Sequence, residues 1–292
     1  MDITFSNSSA SIKSQITEKA YDESMEAAFF DLDKTVIAKA SMLAFGPPFY
    51  KEGLISRRTA IRSAYAQLVY RHRGANDQKL ARLRETVLDL TKGWDQNRVT
   101  QIVTKTLSEI VEPLIYQEAL DLMEYHRKQG RTIYLVSASP IEILEPLGDF
   151  LNVDGVIGSK SRIDPDGKYT GEMEFYAYGP YKVDAMKEIA KEKGLSLENS
   201  YAYSDSYTDI PMLEAVGHPV AVNPDRVLTK RAKENGWDIL TFTKPVHVKS
   251  ADRKGTKTQT LAAGAAAIAV ASLATATGVA LKKQRQGRSA SS

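Results

Sequence analysis

Residues 29–37 read FFDLDKTVI, an apolar run that ends in two acids, Asp31 and Asp33. In an extended segment the side chains alternate, so Asp31 and Asp33 project to the same side while Leu32 points back into the protein. Such a pair suits a reaction in which one carboxylate attacks and the other transfers a proton. Because the pattern D-x-D-x-T is also typical of a turn, a helix cap or a weak metal site, its interpretation depends on the rest of the chain.

Two later segments place a reactive side chain beside a predicted strand end or helix start. Residues 132–140 read TIYLVSASP, an apolar strand that ends at the hydroxyl of Ser137. Ser139 and the following proline are predicted to cap and open the next helix. Residues 178–182 read YGPYK, in which Lys182 opens another predicted helix.

A third segment, residues 201–213, reads YAYSDSYTDIPML and supplies Asp205 and Asp209 directly after a short apolar strand. Strands that alternate with helices predict a parallel sheet with helices on both faces. The carboxyl ends of its strands lie at one edge, where ligands bind in such folds. We therefore expect the reactive side chains of all four segments to meet there.

These four segments, in this order, resemble motifs I to IV of the haloacid dehalogenase (HAD) superfamily. The long insertion after the first segment resembles the arrangement in subfamily IB, which includes phosphoserine phosphatase. The resemblance covers about residues 27–243. It implies an α/β fold with a Rossmann-like core, a parallel sheet and an inserted all-helical cap. It also implies a HAD-type phosphatase, which hydrolyses phosphoric monoesters.

The resemblance implies a role for each reactive side chain. Asp31 is expected to attack a phosphomonoester and form an aspartyl-phosphate intermediate. Asp33 is expected to protonate the leaving alcohol and later to take a proton from the attacking water. Ser137 and Lys182 are expected to bind the phosphate, whose charge spreads over its equatorial oxygens during transfer.

The resemblance also implies Mg²⁺ as the cofactor. The carboxylates of Asp31 and Asp205 and the backbone carbonyl of Asp33 are expected to hold the ion, with waters completing an octahedron. Asp209 is expected to support the site, either by orienting a metal-bound water or by pairing with Lys182. The sequence leaves both alternatives open.

The chain departs from the resemblance on the substrate side. Ala40 stands where phosphoserine phosphatases carry an acid that reads the substrate amine, so a small phosphorylated metabolite or a lipid-related monoester is expected instead of phosphoserine. Ser204 and Thr208 replace a Gly and an Asn and are expected to alter the leaving-group side. Five side chains of the insertion could bind an anionic or larger substrate, or else they form a solvated helix surface. They are Tyr50, Arg57, Arg58, Arg62 and Tyr65.

Hydrophobic periodicity and composition, together with the core and cap that the resemblance implies, predict the division of the chain. The predicted parts are a loose N-terminal arm (1–25), a catalytic core (26–39 and 114–243), a helical cap (40–113), a basic linker (244–260), a transmembrane anchor (261–281) and a basic tail (282–292). Apolar residues recur at helical spacing in 61–69, 80–90 and 99–110, with Asp95 as an N-cap. Strands are predicted at 27–30, 132–136, 201–203, 219–222 and 237–242, a hairpin within 154–173, and helices over 114–128 and 181–193. The alternative is that the insertion only enlarges the hydrophobic core and does not form a cap over the site.

Composition excludes several classes of site. The chain has no cysteine, which removes disulfides, thiolate nucleophiles and cysteine-ligated zinc, and its four histidines show no metal-ligand spacing. The net charge is +3, but the residues after 243 contribute +8, so residues 1–243, the body of the chain, carry −5. An acidic body, in which no basic surface with interleaved aromatic residues is evident, argues against nucleic-acid binding.

The segment 261–281 contains 21 residues without a charge, about the length that crosses a bilayer core of ~30 Å. It is rich in alanine, and its basic flanks are nearly balanced, so they do not decide an orientation. The alternative is an alanine-rich helix that packs on a partner or stays exposed. Since residues 1–25 lack an apolar signal-peptide core, the catalytic body is expected in the cytoplasm, associated with a membrane through its C-terminus.

Two other functions stay open from the sequence. A phosphotransferase of the same fold would pass the phosphoryl group from Asp31 to an alcohol other than water. A catalytically inactive, membrane-anchored adaptor would keep the fold without turnover. Occupancy of all the reactive positions argues against the adaptor.

Overall fold

The computed structural model describes residues 25–56 and 77–243 of the chain. Its strands are β1 (Ala27–Asp31), β2 (Thr132–Pro140), β3 (Gly155–Ile163), β4 (Tyr169–Phe175), β5 (Tyr201–Ser204), β6 (His218–Val222) and β7 (Asp238–Leu240). They form one sheet in the order β4-β3-β2-β1-β5-β6-β7. All neighbours are parallel except the antiparallel pair β3 and β4. The predicted α/β core with a parallel sheet is confirmed.

The helices of the described residues surround this sheet. They are α1 (Ser41–Ala44), α2 (Gly46–Lys51), α3 (Asp77–Thr91), α4 (Gln96–Ile110), α5 (Gln117–Lys128), α6 (Ile141–Leu151), α7 (Pro180–Lys193), α8 (Ile210–Glu214) and α9 (Arg226–Asn235). Two single 3₁₀ turns, Glu112–Leu114 and Tyr207–Asp209, precede α5 and α8.

Strand β1 lies at the centre of the sheet and is buried on both faces, which is why its sequence is apolar throughout instead of alternating. Phe30 belongs to one hydrophobic cluster and stacks on Tyr203, with ring centroids 4.4 Å apart. Phe29 faces the other cluster and stacks on Tyr134 at 5.3 Å. These two layers of side chains hold the strand, and therefore Asp31 at its end, in a fixed position.

Most predicted elements of the core form close to their predicted bounds. The hairpin turn lies at residues 164–168, where the carboxylate of Asp164 accepts bonds from the backbone N–H groups of Asp166 and Lys168. Gly167 adopts the left-handed φ of +79° that the turn requires. Strand β2 runs longer than predicted, to Pro140. Strand β7 is shorter than predicted.

The helix predicted over 114–128 begins later, at Gln117. Pro113 lies in the 3₁₀ turn that precedes it. Ile115 is extended and forms an isolated bridge with Ile37, in the segment just after β1. The pairing between these two segments competes with the helix and delays its start.

The described part of the insertion is helical, as predicted, and Asp95 caps α4 by accepting from the N–H of Arg98 at 2.8 Å. Val103 and Leu107 of α4 are buried in the same hydrophobic cluster as Phe30. Part of the insertion therefore adds to the core, which was the alternative to a separate cap. The division into core and cap stays a prediction. The predicted helix over 61–69 lies outside the described residues.

Within residues 25–56 and 77–243, no helix is both long enough and apolar enough to cross a membrane. The run 261–281 that was predicted as a transmembrane anchor lies outside this part of the chain. The N-terminal arm (1–24 of the predicted 1–25), the basic linker and the basic tail lie outside it as well. These assignments stay predictions.

A fully buried histidine, His126 on α5, sits in the layer that supports β1. Its Nε2 lies 2.8 Å from the hydroxyl oxygen of Tyr203, and its ring packs edge-on to Phe30. Burial lowers the pKa of His126 to about 4, with Arg131 acting in the same direction and Glu26 against it. The folded protein therefore holds this imidazole neutral at pH values where an unfolded chain would protonate it.

We expect His126 to make the fold acid-sensitive. Because its pKa is lower in the folded state, the unfolded chain binds a proton first, and stability falls as the pH drops from about 6.5 towards 4. The variant His126→Gln should lose roughly 2 kcal/mol less of its unfolding free energy over this range than the wild type. Denaturant unfolding at a series of pH values measures the difference. His218→Gln, which changes an exposed histidine, should leave the slope of the wild type unchanged, and an equal slope in His126→Gln would contradict the assignment.

Candidate active site

The chain turns sharply just after β1, and this turn places both acids at the strand end. The carbonyl of Leu32 accepts from the N–H groups of Thr35, Val36 and Ile37. Lys34 has a left-handed φ of +66°, an uncommon and costly conformation for a residue with a side chain. Leu32 itself is fully buried, as the alternation predicted.

Lys182 joins two of the predicted acids. It lies in the first turn of α7 and is 3% exposed. Its Nζ donates to Oδ1 of Asp31 and to Oδ2 of Asp209, each at 2.8 Å. Of the two alternatives left open for Asp209, the structure shows the pairing with Lys182. The hydroxyl of Ser204 also donates to Asp209, at 2.7 Å.

The charges of this cluster are unbalanced. Burial raises the pKa of Asp31 well above its ordinary value, and the pairing with Lys182 opposes this rise only in part. Burial alone would lower the pKa of Lys182, but Asp209 and Asp31 hold it above its ordinary value. Lys182 therefore stays charged while it faces two carboxylates.

The carboxylate of Asp33 is held by a different set of donors. The backbone N–H of Ser41 donates to its Oδ1 at 2.8 Å, and the hydroxyl of Ser139 donates to its Oδ2 at 3.3 Å. Burial raises the pKa of Asp33, and the bonds from Ser41 and Ser139 oppose that rise. A carboxyl group with a raised pKa is suited to donate a proton.

Ser41 and Ser139 belong to the site, although neither was predicted there from the sequence. Ser139 was predicted to cap the next helix, but α6 begins at Ile141 without a side-chain cap. A signal was present, because β2 stays extended and residues 137 and 139 must point to the same side. No such signal exists for Ser41, which reaches Asp33 through its backbone.

Ser137 lies where the sequence predicted, at the carboxyl end of β2. The preceding residue, Val136, pairs with Asp31 in the parallel register, so the two motif segments end side by side. Ser137 is 2% exposed, and its hydroxyl oxygen accepts from the N–H of Ser139 at 3.1 Å. A hydroxyl that accepts here keeps its own proton to donate to a phosphate oxygen.

Asp205 follows β5 and completes the acidic edge of the sheet. Burial raises its pKa to about 6, and Lys34, whose Nζ lies 3.7 Å away, opposes this. The negative charge of Asp209 also raises the pKa of Asp205, and the charge of Asp205 in turn raises the pKa of Asp31. An edge with this excess of buried carboxylates fits a divalent cation.

The donor set also fits the preference of Mg²⁺ for few protein ligands. Among residues 25–56 and 77–243, no three His, Cys, Asp or Glu side chains are arranged to hold an ion. Two carboxylates, a backbone carbonyl and waters are a ligand set that is typical of Mg²⁺. Asp31, Asp205 and the carbonyl of Asp33 are the groups that would hold it.

The substitutions predicted to alter the leaving-group side make their contacts inside their own segment. Ser204 donates to Asp209 and accepts from the N–H of Ser206 at 3.2 Å. The hydroxyl of Thr208 lies 3.0 Å from that of Ser206. Their bonds shape the acidic loop itself. Of the candidate substrate side chains, Tyr50 is exposed, while Arg57, Arg58, Arg62 and Tyr65 lie outside the described residues.

The segment that contains this site matches known proteins in sequence. The model of haloacid dehalogenase-like hydrolases matches residues 28–214. A probable phosphatase of Mycobacterium tuberculosis is 47% identical over 223 residues, which cover 76% of this chain and 77% of that protein.

Solved structures share the fold. A protein of unknown function from Bordetella pertussis Tohama I superposes with a TM-score of 0.65 at 26% identity, covering 74% of this chain and 98% of that one. A phosphoserine phosphatase, solved as a phospho-aspartyl intermediate analogue, superposes with a TM-score of 0.53 at 18% identity, covering 75% and 94% of the two chains.

Proposed function

The chain belongs to the haloacid dehalogenase-like hydrolase family and is a phosphatase of that family; we propose that it hydrolyses phosphomonoesters with Mg²⁺ through an aspartyl-phosphate on Asp31. The observation that supports this most directly is the different environment of the two acids. Asp31 is paired with a buried lysine, whereas Asp33 is bound by an amide and a hydroxyl. Two carboxyl groups in different surroundings can take different roles.

In the first half of the proposed reaction, Asp31 attacks the phosphorus atom. The bond from phosphorus to the leaving oxygen breaks, and Asp33 gives that oxygen a proton. Lys182 and Ser137 donate to the phosphoryl oxygens, and the ammonium stabilises their charge. Burial raises the pKa of Asp33, which favours the protonated form that this step uses.

In the second half, a water molecule replaces Asp31 on phosphorus. Asp33, now ionised, takes a proton from this water, and Asp31 leaves as a carboxylate. Phosphate is released, and Asp33 returns to its protonated state. Bound Mg²⁺ supplies positive charge to the phosphoryl oxygens and offsets the buried carboxylates.

The substrate is proposed to be a small phosphorylated metabolite or a lipid-related monoester. Ala40 has no negative charge that could bind the amino group of a substrate, which argues against phosphoserine. We keep the anchoring of the chain by 261–281, with a cytoplasmic catalytic body, as part of this proposal, since an uncharged run of that length suits a membrane. Anchoring would give the site access to lipid-related monoesters.

The experiment uses the full chain and a panel of phosphomonoesters, both water-soluble and presented in phospholipid vesicles, with Mg²⁺ or with EDTA. We expect free phosphate from at least one ester, lost with EDTA and restored by added Mg²⁺. Activity that persists in EDTA would contradict the proposed cofactor. A phosphorylated alcohol in place of free phosphate would favour the phosphotransferase, and no turnover of any ester would favour the adaptor.

A further inference from the structure

Both oxygens of the Asp33 carboxylate are bound, by donors from two distant parts of the chain. Ser41 opens α1, at the start of the insertion, and its backbone N–H donates to Oδ1 at 2.8 Å. Ser139 lies near the end of β2, and its hydroxyl donates to Oδ2 at 3.3 Å. The carboxylate is therefore held between the insertion and the sheet.

The two serine hydroxyls also bind each other. Their Oγ atoms lie 2.7 Å apart, and the two residues are 0% and 4% exposed. Each hydroxyl carries one proton, so when Ser139 donates to Asp33, the bond between the hydroxyls must come from Ser41. The result is a directed chain from Ser41 through Ser139 to Asp33. Such a chain is stronger in a buried site than the same bonds would be in water.

The amide of Ser41 makes the two oxygens of Asp33 different. A backbone N–H can only donate, so Oδ1 stays an acceptor. Oδ2 is then the oxygen that carries and releases a proton. Its neighbour is the hydroxyl of Ser139, which can rotate and either donate or accept.

We propose that Ser41 and Ser139 are positioning residues that aim Oδ2 of Asp33 at the oxygen of the leaving alcohol. This inference rests on the proposed function, in which Asp33 is the proton donor. The proton passes from Oδ2 to the leaving oxygen as the phosphorus–oxygen bond breaks. Ser139 then donates to the new carboxylate and keeps it oriented for the attacking water. The serines act through Asp33 and not on the phosphoryl group.

The test compares two leaving groups. A 4-nitrophenolate leaves without much help from an acid, whereas an alkoxide needs a proton. Ser139→Ala should lower kcat/KM about tenfold for the alkyl phosphomonoester that the wild type hydrolyses fastest, the loss of one hydrogen bond to a charged group. For p-nitrophenyl phosphate, kcat/KM should change less than about twofold. This ratio reports the steps up to the first phosphoryl transfer and not the hydrolysis of the intermediate that both esters share. Ser41→Ala, which keeps its amide, should show the same pattern with a smaller loss.

Ser200→Ala is the matched control. Ser200 is also a fully buried serine beside β1, but its hydroxyl accepts from the N–H of Ala27, at the opposite end of the strand. This variant should lower the melting temperature without changing the ratio of the two kcat/KM values. An equal loss on both substrates in Ser139→Ala would overturn the inference, because a merely structural serine would act in that way.

Asp33→Asn separates this inference from the proposed function. We expect this variant to show the same preference for the aryl ester more strongly, and Ser139→Ala to add little to it, since the serine acts through Asp33. If Asp33→Asn lowers kcat/KM equally for both esters, the proposed role of Asp33 as the proton donor fails, and the inference fails with it. If Asp33→Asn behaves as expected and Ser139→Ala does not, only the positioning role is overturned.

Discussion

Asp31→Asn should reduce phosphate release by roughly four orders of magnitude or more, because it removes the proposed nucleophile and an amide oxygen cannot replace it. The fold should remain intact. The asparagine introduced by this substitution would keep the shape of the side chain at the end of β1, and Lys182 would keep its bond to Asp209. Single-turnover and steady-state phosphate assays measure the loss, with the wild type run at the same Mg²⁺ concentration.

The same substitution should maintain or raise the stability of the metal-free protein. The pKa of Asp31 is raised mainly by burial, so its ionised form costs free energy in the folded state, and that cost appears as the pH rises above the ordinary pKa of an aspartate. An asparagine avoids this cost. At neutral pH in EDTA, the melting temperature of Asp31→Asn should therefore equal or exceed that of the wild type, and the gain should shrink in acid.

Asp184→Asn is the control, since this residue lies on the exposed face of α7 and loses the same charge. It should retain full activity. An Asp31→Asn protein that is folded and still turns over would rule out the proposed nucleophile. One that unfolds would show that the charge at residue 31 serves the fold.

Lys182→Met should both lower the free energy of unfolding and reduce kcat strongly. Without the ammonium, Asp31 and Asp209 are left as neighbouring buried carboxylates, and loss of one partner of a buried ion pair costs about 3–5 kcal/mol. Loss of a cation that stabilises the phosphoryl oxygens should lower kcat by about 10²- to 10³-fold. Urea unfolding in EDTA gives the first quantity, and the phosphate assay with Mg²⁺ gives the second.

A double variant tests the cause of the instability. In Lys182→Met with Asp209→Asn, one of the two unpaired charges is gone, so a substantial part of the lost unfolding free energy should return while activity stays low. Lys187→Met, an exposed lysine on the same helix, should change neither quantity by much. A double variant as unstable as Lys182→Met alone would show that packing, and not charge, explains the loss.

Local sequence was enough to predict most of the sheet and the convergence of the acids. A strand buried on both faces needs an unbroken apolar run, and β1 and β2 have one. Once the strands are parallel, their carboxyl ends share one edge, which brings Asp31, Ser137 and Asp205 together without further information. Turn chemistry was equally local, as the hairpin at Gly167 shows.

The partners of these side chains could not be predicted in the same way. Whether Asp209 would pair with Lys182 or orient a water depended on where α7 and the loop after β5 pack against each other. The late start of α5 depended on a bridge between Ile37 and Ile115, which lie 78 residues apart in the sequence. The burial of His126 depended on how α5 lies against β1.

The sequence alone therefore determined which chemical groups stand at the edge of the sheet, because periodicity and strand order are local or follow from simple rules of topology. Tertiary structure alone decided how each group is held. Asp33 is bound by an amide 8 residues away and a hydroxyl 106 residues away. No pattern in the chain encodes such distances, since they arise only when the insertion and the sheet pack against each other and exclude water from the bonds between them.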